Sequence, residues 1–493
     1  MGPLRNPKSK SSQRHIRKFS ASRLPLTRRS TLTTPVQQLQ RQQIQKQKQK
    51  QKAQRQREIA TIVARKAHHV RWAAIASDTQ RIVCGDGKYV EQRPSGDPTS
   101  ASTFSSHPSS VYFSSAHAPS PFKGPSKYAQ GQLGTIHVVH DIAPHIQLSK
   151  QLTTFYPHSS PSLAEWRHRS NSRSVETSFT FTSLSTLTAA RTLHVTHPEL
   201  SLFPTHSLPT TAIGVLAFSS PKRPGGGYLH GGDEQEEALA RCTSLVASLD
   251  TDAGKEFYKT HKAFSGVDGK GIYDHSMVYS PGVVVFRKED DDKLDYATSV
   301  PSLTTSAKPG TKPRSKSKSQ PPSTSGPILP RSVVATDSTP PSQTDTTISP
   351  YPLNILSSTP PSYAAIHQTY TITPSTSHIF TSGIKSVLTQ RLGRVLKTFE
   401  ERGNKAIVLG AYGCGTSEVK VDMIAGVWAE LLVCGEEELV VESGEEGPTR
   451  REARFKDVFE HVVFAVPGKL FAPFKEAFEM RVLEAQVNEV TRL

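Results

Sequence analysis

Residues 212–237 read AIGVLAFSSPKRPGGGYLHGGDEQEE. Ala212 to Phe218 is a short, nearly continuous apolar run, the pattern of a strand buried on both faces. It leads into a Ser/Pro/Lys/Arg loop that ends in Gly225-Gly226-Gly227. Three glycines let a backbone pass close to a ligand with no Cβ in the way. Gly231-Gly232 follow. Asp233 and Glu236 have the D-x-x-E spacing of a capping box, so a helix is expected to begin at Asp233 with Glu236 and Glu237 in its first turn. Acids are favoured in any first helical turn. The strand and the glycines upstream are what single out this pair. Two carboxylates beside a bare loop suit acid/base work on a phosphorylated ligand.

Similar short apolar runs occur at Thr135 to Val139, Val283 to Phe286, Ala406 to Leu409 and His461 to Val466. Helical stripes lie between and around them. One runs through Ile59, Ile62, Val63, Val70, Ala73 and Ala74. A second follows Ala238, Leu239, Cys242, Leu245, Val246 and Leu249, and a third Ile384, Val387, Leu388, Leu392, Val395 and Leu396. Strands alternating with helices predict an α/β fold of three layers, a central sheet flanked by helices. In such folds ligands bind at the carboxyl ends of the strands.

Two further loops sit at strand ends. Gly410-Ala411-Tyr412-Gly413-Cys414-Gly415 follows Ala406 to Leu409, and its backbone amides suit a nest for a diphosphate. It lacks the GKS/T of a P-loop and the G-x-G-x-x-G of a dinucleotide fold. Cys414 has no assignable His partner and reads as small filler. Tyr279-Ser280-Pro281-Gly282 is read as a loop before Val283 to Phe286. His194 and His197 lack the H-E-x-x-H arrangement, and no G-x-S-x-G occurs. Cys84, Cys242, Cys414 and Cys434 lie far apart with no CxxC, which argues against zinc and for free thiols in a reducing compartment. No metal and no cofactor are expected, and no run of about 18 apolar residues suggests a membrane span.

The net charge of +17 is concentrated at one end: residues 1–57 hold 16 Lys and Arg and no Asp or Glu. This basic Gln/Lys/Arg-rich tail is expected to be disordered, since like charges oppose collapse and no apolar face is present. Its first part has the composition of a transit peptide and also of a nuclear-import or nucleic-acid-binding arm. Nucleus, cytoplasm and mitochondrion all remain open. The tail is expected to attract polyanions. Residues 58–493 are read as one domain with low-complexity insertions at about 95–126 and 300–361, rich in Ser, Thr and Pro.

With these residues in view, the chain resembles the poly(ADP-ribose) glycohydrolases of the microbial type. The likeness rests on G-G-G, seven residues, then Q-E-E. Around it stand Phe218 to Leu229, Tyr279 to Val283, and Val408 to Gly415 with the late strand Val462 to Ala465. The resemblance implies a macrodomain-like core with a mixed central sheet, a ligand that is ADP-ribose or poly(ADP-ribose), and hydrolysis of the ribose–ribose bond. It implies Glu237 as the acid/base, Glu236 as its orienting partner on the ribose hydroxyls, and Gly225, Gly226, Gly227, Gln235, Gly413, Cys414 and Gly415 at the ligand. An ADP-ribose-binding module with weak or no turnover is the other reading. The chain departs from the pattern where relatives carry Asn-Phe-Ala, here Ala217-Phe218-Ser219. It departs again after G-C-G, where Thr416-Ser417-Glu418 stand in place of an aromatic wall.

Overall fold

The computed structural model describes residues 35–94, 111–114, 135–168, 175–202, 210–266, 270–294, 346–438 and 449–491. The chain divides into two units, Met1–Arg65 and Lys66–Leu493. The described residues of the first unit are helical, within α1 (Pro35–Cys84). Residues 37–57 therefore differ from the structureless tail expected of them, while residues 1–34 lie outside the described residues. Gln, Lys and Arg are all good helix formers, which outweighs their mutual repulsion once salt screens it. Ile59, Ile62, Val63 and Val70 do not form a packed face. They are exposed, and the buried residues of α1 come later, at Ile75, Ala76, Ile82 and Val83.

In the second unit, β1 (Lys88–Pro94), β2 (Val111–Ser114) and β3 (Thr135–Asp141) make an antiparallel sheet in the order β1-β3-β2. β2 lies inside the first expected low-complexity stretch, whose other residues from 95 to 126 are outside the described residues. Helices α2 (Ala143–Leu152), α3 (Pro161–Ala164) and α4 (Thr186–Thr196) follow, with strands β4 (Thr154–Tyr156) and β5 (Ser178–Thr182) between them. A short pair, β6 (Ser201–Leu202) and β7 (Thr210–Thr211), precedes β8 (Ile213–Phe218). Then come α5 (Gln235–Cys242), α6 (Leu245–Leu249), α7 (Asp252–Gly266), β9 (Met277–Arg287) and β10 (Thr347–Ser358). The chain continues through α8 (Tyr363–Thr369), α9 (Ser377–Glu401), β11 (Ala406–Leu409) and α10 (Val421–Ala429). It ends with the pair β12 (Glu436–Glu438) and β13 (Thr449–Arg451), then β14 (His461–Ala465) and α11 (Phe471–Val490).

The main sheet has seven strands in the order β4-β9-β10-β8-β11-β14-β5. β10, β8, β11, β14 and β5 run parallel, and β9 is antiparallel to both β10 and β4. The sheet is mixed, as expected. Its faces feed two cores. Leu216, Ile407 and Leu409 pack with α9, α10 and α11 on one side. Ile213, Val215, Ala217 and Val408 pack with α4 and the helices after β8 on the other. This alternation along β8 and β11 is the three-layer arrangement.

Two sequence expectations are corrected here. Residues 346–361 are not part of an insertion. They contain β10, which lies between β8 and β9 and is buried along most of its length. Pro350 and Pro352 masked it, because proline demotes a run to an edge strand or a loop. Residues 300–345 lie outside the described residues. Nor is Tyr279-Ser280-Pro281-Gly282 a loop. It lies within β9, where the register with β10 shifts between Leu353 and Ile355. Two residues of β9 oppose Asn354 alone, a bulge. Gly282 supplies its left-handed φ of 63°, and its amide donates to Asn354 Oδ1 at 3.1 Å. Among the described residues, no helix is long and apolar enough to cross a membrane.

Candidate active site

The carboxyl end of β8 runs into the glycine loop, and α5 returns from it. The capping box of α5 is one residue later than the sequence suggested. Glu234 is the N-cap and Glu237 its N3 partner, so Asp233 and Glu236 do not form it. Glu234 competes well for the cap because its carboxylate accepts the Glu237 amide while the Glu237 side chain reaches back.

The shift changes what each acid does. Glu237 accepts the Glu234 amide on Oε2 at 2.9 Å and the Gly227 amide on Oε1 at 2.6 Å. Glu236 turns under the loop and is buried, 2 % exposed. It accepts the Ser220 amide at 2.7 Å and the Gly225 amide at 3.2 Å. Burial pushes Glu236 up to about 8; the Ser220 and Gly225 amides oppose that rise, and the charge of Glu237 adds to it. Burial thus favours the protonated form of Glu236. Burial also raises Glu234, with Glu237 and Asp233 contributing.

The glycines are explained by these bonds. A Cβ at Gly227 would lie 2.7 Å from Glu237 Oε1, and one at Gly226 would lie 3.2 Å from Glu237 Cγ. Gly225 and Gly226 also take left-handed φ of 66° and 54°. The triplet lets the loop wrap its own acid pair. The Gly225 and Gly227 amides are taken by the side chains of Glu236 and Glu237.

A cleft of about 570 Å³ opens beside the acids, within the size range of small-molecule sites. Gly226, Gly227, Glu234, Glu236 and Glu237 line it together with Gly413 and Gly415, and a Cβ at Gly415 would lie 3.2 Å from Glu234 Oε2. Among the described residues no protein acceptor takes the Gly413 or Gly415 amide. This second loop thus has the open donors of an anion nest. Lys222 and Arg223 stand exposed at the rim.

Three expected ligand residues are not in the lining. Gln235 is tied to β8: its Oε1 accepts the Phe218 amide at 2.8 Å and its Nε2 donates to the Leu216 carbonyl at 2.8 Å. Gly225 faces α5, where a Cβ would meet Ala240 at 2.8 Å. Cys414 packs against the core, and burial pushes its thiol up to about 12.

The two sequence departures also resolve. Ala217 faces the core beneath α4 and α5, so no cleft contact is lost there. Thr416 and Ser417 line the cleft, but Glu418 is exposed and outside it. The cleft residues that sequence reasoning missed include Glu234, Tyr273, Thr359, Pro360 and Ser362. Only Glu234 had a sequence signal, its place before Q-E-E at a helix start. Among the described residues, no group of three or more His, Cys, Asp or Glu side chains is placed to hold a metal ion.

A mixed sheet between helix layers, an acid pair at a capped helix start and a second glycine loop lining the same cleft define a three-layer α/β protein with a ligand-sized site at its strand ends. A family model described as microbial-type PARG, catalytic domain, matches residues 129–288. That match takes in β8, the glycine triplet, both acids and β9. No curated protein matches the chain. Among solved structures, poly(ADP-ribose) glycohydrolase from Thermomonospora curvata is similar at 24 % identity and TM-score 0.49, covering 83 % of this chain and 99 % of that one. The same enzyme bound to the inhibitor ADP-HPD is similar at 24 % identity and TM-score 0.47, with coverage of 83 % and 99 %. The enzyme from Deinococcus radiodurans in complex with ADP-ribose is similar at 24 % identity and TM-score 0.44, with coverage of 70 % and 98 %.

Proposed function

We propose that this chain hydrolyses the ribose–ribose O-glycosidic bonds of poly(ADP-ribose) and releases ADP-ribose. One observation carries the reading: Glu237 is held by two backbone amides at the edge of a cleft that Gly413 and Gly415 share. An oxocarbenium-like transition state needs a proton for the leaving oxygen and a water at the anomeric carbon. Glu237 is the group we assign to both steps. Each of its oxygens accepts one amide and keeps a further lone-pair site for substrate. Glu236, protonated and clamped beneath the loop, keeps its neighbour in place and offers a neutral carboxyl to the ribose hydroxyls. The open amides of Gly413 and Gly415 take the diphosphate.

Outside the cleft, the exposed cations Lys46, Lys48, Lys50, Lys52, Arg55 and Arg57 of α1 are assigned a contact with the polymer's phosphates. The deciding experiment incubates the purified full chain with poly(ADP-ribose)-modified protein and measures released ADP-ribose. Release by wild type supports the reading. Binding of ADP-ribose without release would make the chain a reader and sink the enzyme assignment.

A further inference from the structure

Two helices leave apolar stripes open to solvent. On α1, Ile59, Ile62, Val63 and Val70 are exposed. Their spacing puts them on one side of the helix, with Lys66 among them. Ile75, Ala76, Ile82 and Val83, which α1 buries, lie on the other side. The surroundings of the stripe are basic. Arg55, Arg57, Arg65 and Lys66 flank it, and from Lys46 to Lys66 the one acid is Glu58.

The second stripe is on α11. That helix buries Phe474, Phe478 and Ala485. Met480, Leu483, Val487 and Val490 are exposed along the opposite side. They repeat at alternating steps of three and four residues, the spacing of a coiled-coil seam, and Ile59, Ile62 and Lys66 keep the same repeat on α1. Here the surroundings are acidic. Glu476 stands one turn before Met480 in the same line, and Glu479 and Glu484 border it. The cations of α11 reach these acids only loosely, Lys475 to Glu479 at 3.7 Å and Arg481 to Glu484 at 3.8 Å. The other large apolar side chains that stand exposed, Val90, Val195, Phe264 and Ile379, are scattered singly. Single exposed residues need no partner, whereas a contiguous stripe does.

Charge decides which stripe covers which. Packing α1 on another α1 would set cations against cations, and α11 on another α11 would set acids against acids. Like charges across a contact are costly. Packing α1 on α11 sets opposite charges beside a shared apolar seam. The lengths agree as well, since Ile59 to Val70 and Met480 to Val490 each run roughly 15–16 Å at the helical rise. The two stripes do not meet within one copy. Val70 belongs to the same unit as α11 and is 72 % exposed, and its neighbour His69 is hydrogen-bonded through Nδ1 to the Gly231 carbonyl.

We propose that the occupant of the α11 stripe is the α1 stripe of a second copy of this chain, and that the exchange is mutual, giving a two-fold dimer. One helix pair is small beside the roughly 1,600 Å² of a standard interface. Mutual exchange doubles the contact and closes the assembly. Lys66 is central in its stripe and Glu484 in its own, so the two meet whichever way the helices run.

The test is sedimentation velocity of the full chain over a concentration series at low salt, where exposed charges are least screened. The proteins are wild type, Lys66→Glu, Glu484→Lys, an equimolar mixture of those two, Leu483→Asn/Val487→Asn and Ile59→Asn/Ile62→Asn, each checked for a native melting transition. Wild type is expected to pass from monomer to dimer as concentration rises. Each charge reversal should weaken dimerisation roughly tenfold or more. The mixture should recover wild-type association, because each α1 then faces an α11 of opposite sign. Both asparagine pairs should stay monomeric, having lost the apolar area that drives the contact. A wild type that is monomeric at its highest soluble concentration overturns the proposal. So does a dimer that the asparagine pairs leave intact, which places the association elsewhere. Dimerisation strengthened by Lys66→Glu and indifferent to Glu484→Lys means α1 against α1 and overturns it too. Weakening by both reversals without recovery in the mixture removes the α1–α11 pairing. Species larger than a dimer overturn the mutual exchange in favour of open chains.

Discussion

The Gly227 amide donates to Glu237 Oε1 at 2.6 Å, so the glycine loop and the acid it serves are one hydrogen-bonded unit. The Glu234 amide holds the other oxygen. Geometry at the carboxylate is thus set by backbone, which moves less than side chains do and needs no reorganisation during the reaction.

Glu237→Gln is expected to lower ADP-ribose release by about 10²–10⁴-fold, the usual contribution of a positioned acid/base. It leaves a backbone amide facing an NH2 group, so a loss of about 1 kcal/mol in stability should accompany it, as for a weakened cap. Binding of ADP-ribose should stay within several-fold. Single-turnover release and calorimetry on the same preparation separate these effects.

Glu236 gives the apo protein a pH dependence of definite sign. Its folded pKa of about 8 lies above its ordinary value of 4.5 because the fold buries it. The native state therefore favours the protonated form. That stabilisation is complete below the ordinary value and is lost as pH rises through the folded value. Thermal melting of wild type should fall between about pH 5 and about pH 8.5 by more than that of Glu236→Gln, whose amide does not ionise. Equal slopes for the two proteins would contradict this.

Two glycine-to-alanine changes should behave oppositely. In Gly227→Ala the new methyl would sit 2.7 Å from Glu237 Oε1. Displacing that carboxylate is expected to cost about 10²-fold in kcat/KM, the scale of a 1 Å misplacement. Gly383 is on the exposed side of α9 with nothing within 4 Å of an added Cβ. Gly383→Ala should raise stability by about 0.5–1 kcal/mol, read by urea unfolding, with activity unchanged.

Gln235→Ala should act on stability ahead of affinity. Its side chain satisfies Phe218 N and Leu216 O at the end of β8. Removing it leaves two polar groups unpaired at about 1–3 kcal/mol each where they are buried. The denaturation midpoint should drop accordingly, while ADP-ribose affinity of the folded protein stays within about threefold.

The exposed cations of α1 should appear as salt dependence. Replacing Lys46, Lys48, Lys50 and Lys52 by Gln is expected to flatten the slope of log affinity for poly(ADP-ribose) against log salt. Affinity for ADP-ribose alone should not change. An unaltered slope would detach this helix from the polymer.

Much of the fold was legible because its signals are local. Ile213–Phe218 and Ala406–Leu409 are short, nearly continuous apolar runs, and each became a central strand. β10 was not legible, since Pro350 and Pro352 imitate a loop and the bulge that admits irregular pairing belongs to β9. The acid pair was found, but its cap was placed one residue early. Asp233 and Glu234 both precede the apolar stripe, and only the return of Glu237 to the Glu234 amide decides between them.

What the sequence by itself determined is the strand–glycine loop–helix unit of residues 212–242, because all of its parts lie within a few tens of residues and obey backbone rules. It also determined which two acids stand together. Only the tertiary structure decided that the Gly225 and Gly227 amides serve those acids, and that Gly413 and Gly415 line the same cleft. It alone brought Arg391 to Tyr273 and Thr359. The partners in that last case are main-chain carbonyls, which every residue carries, so no side-chain pattern can announce them before the chain has folded.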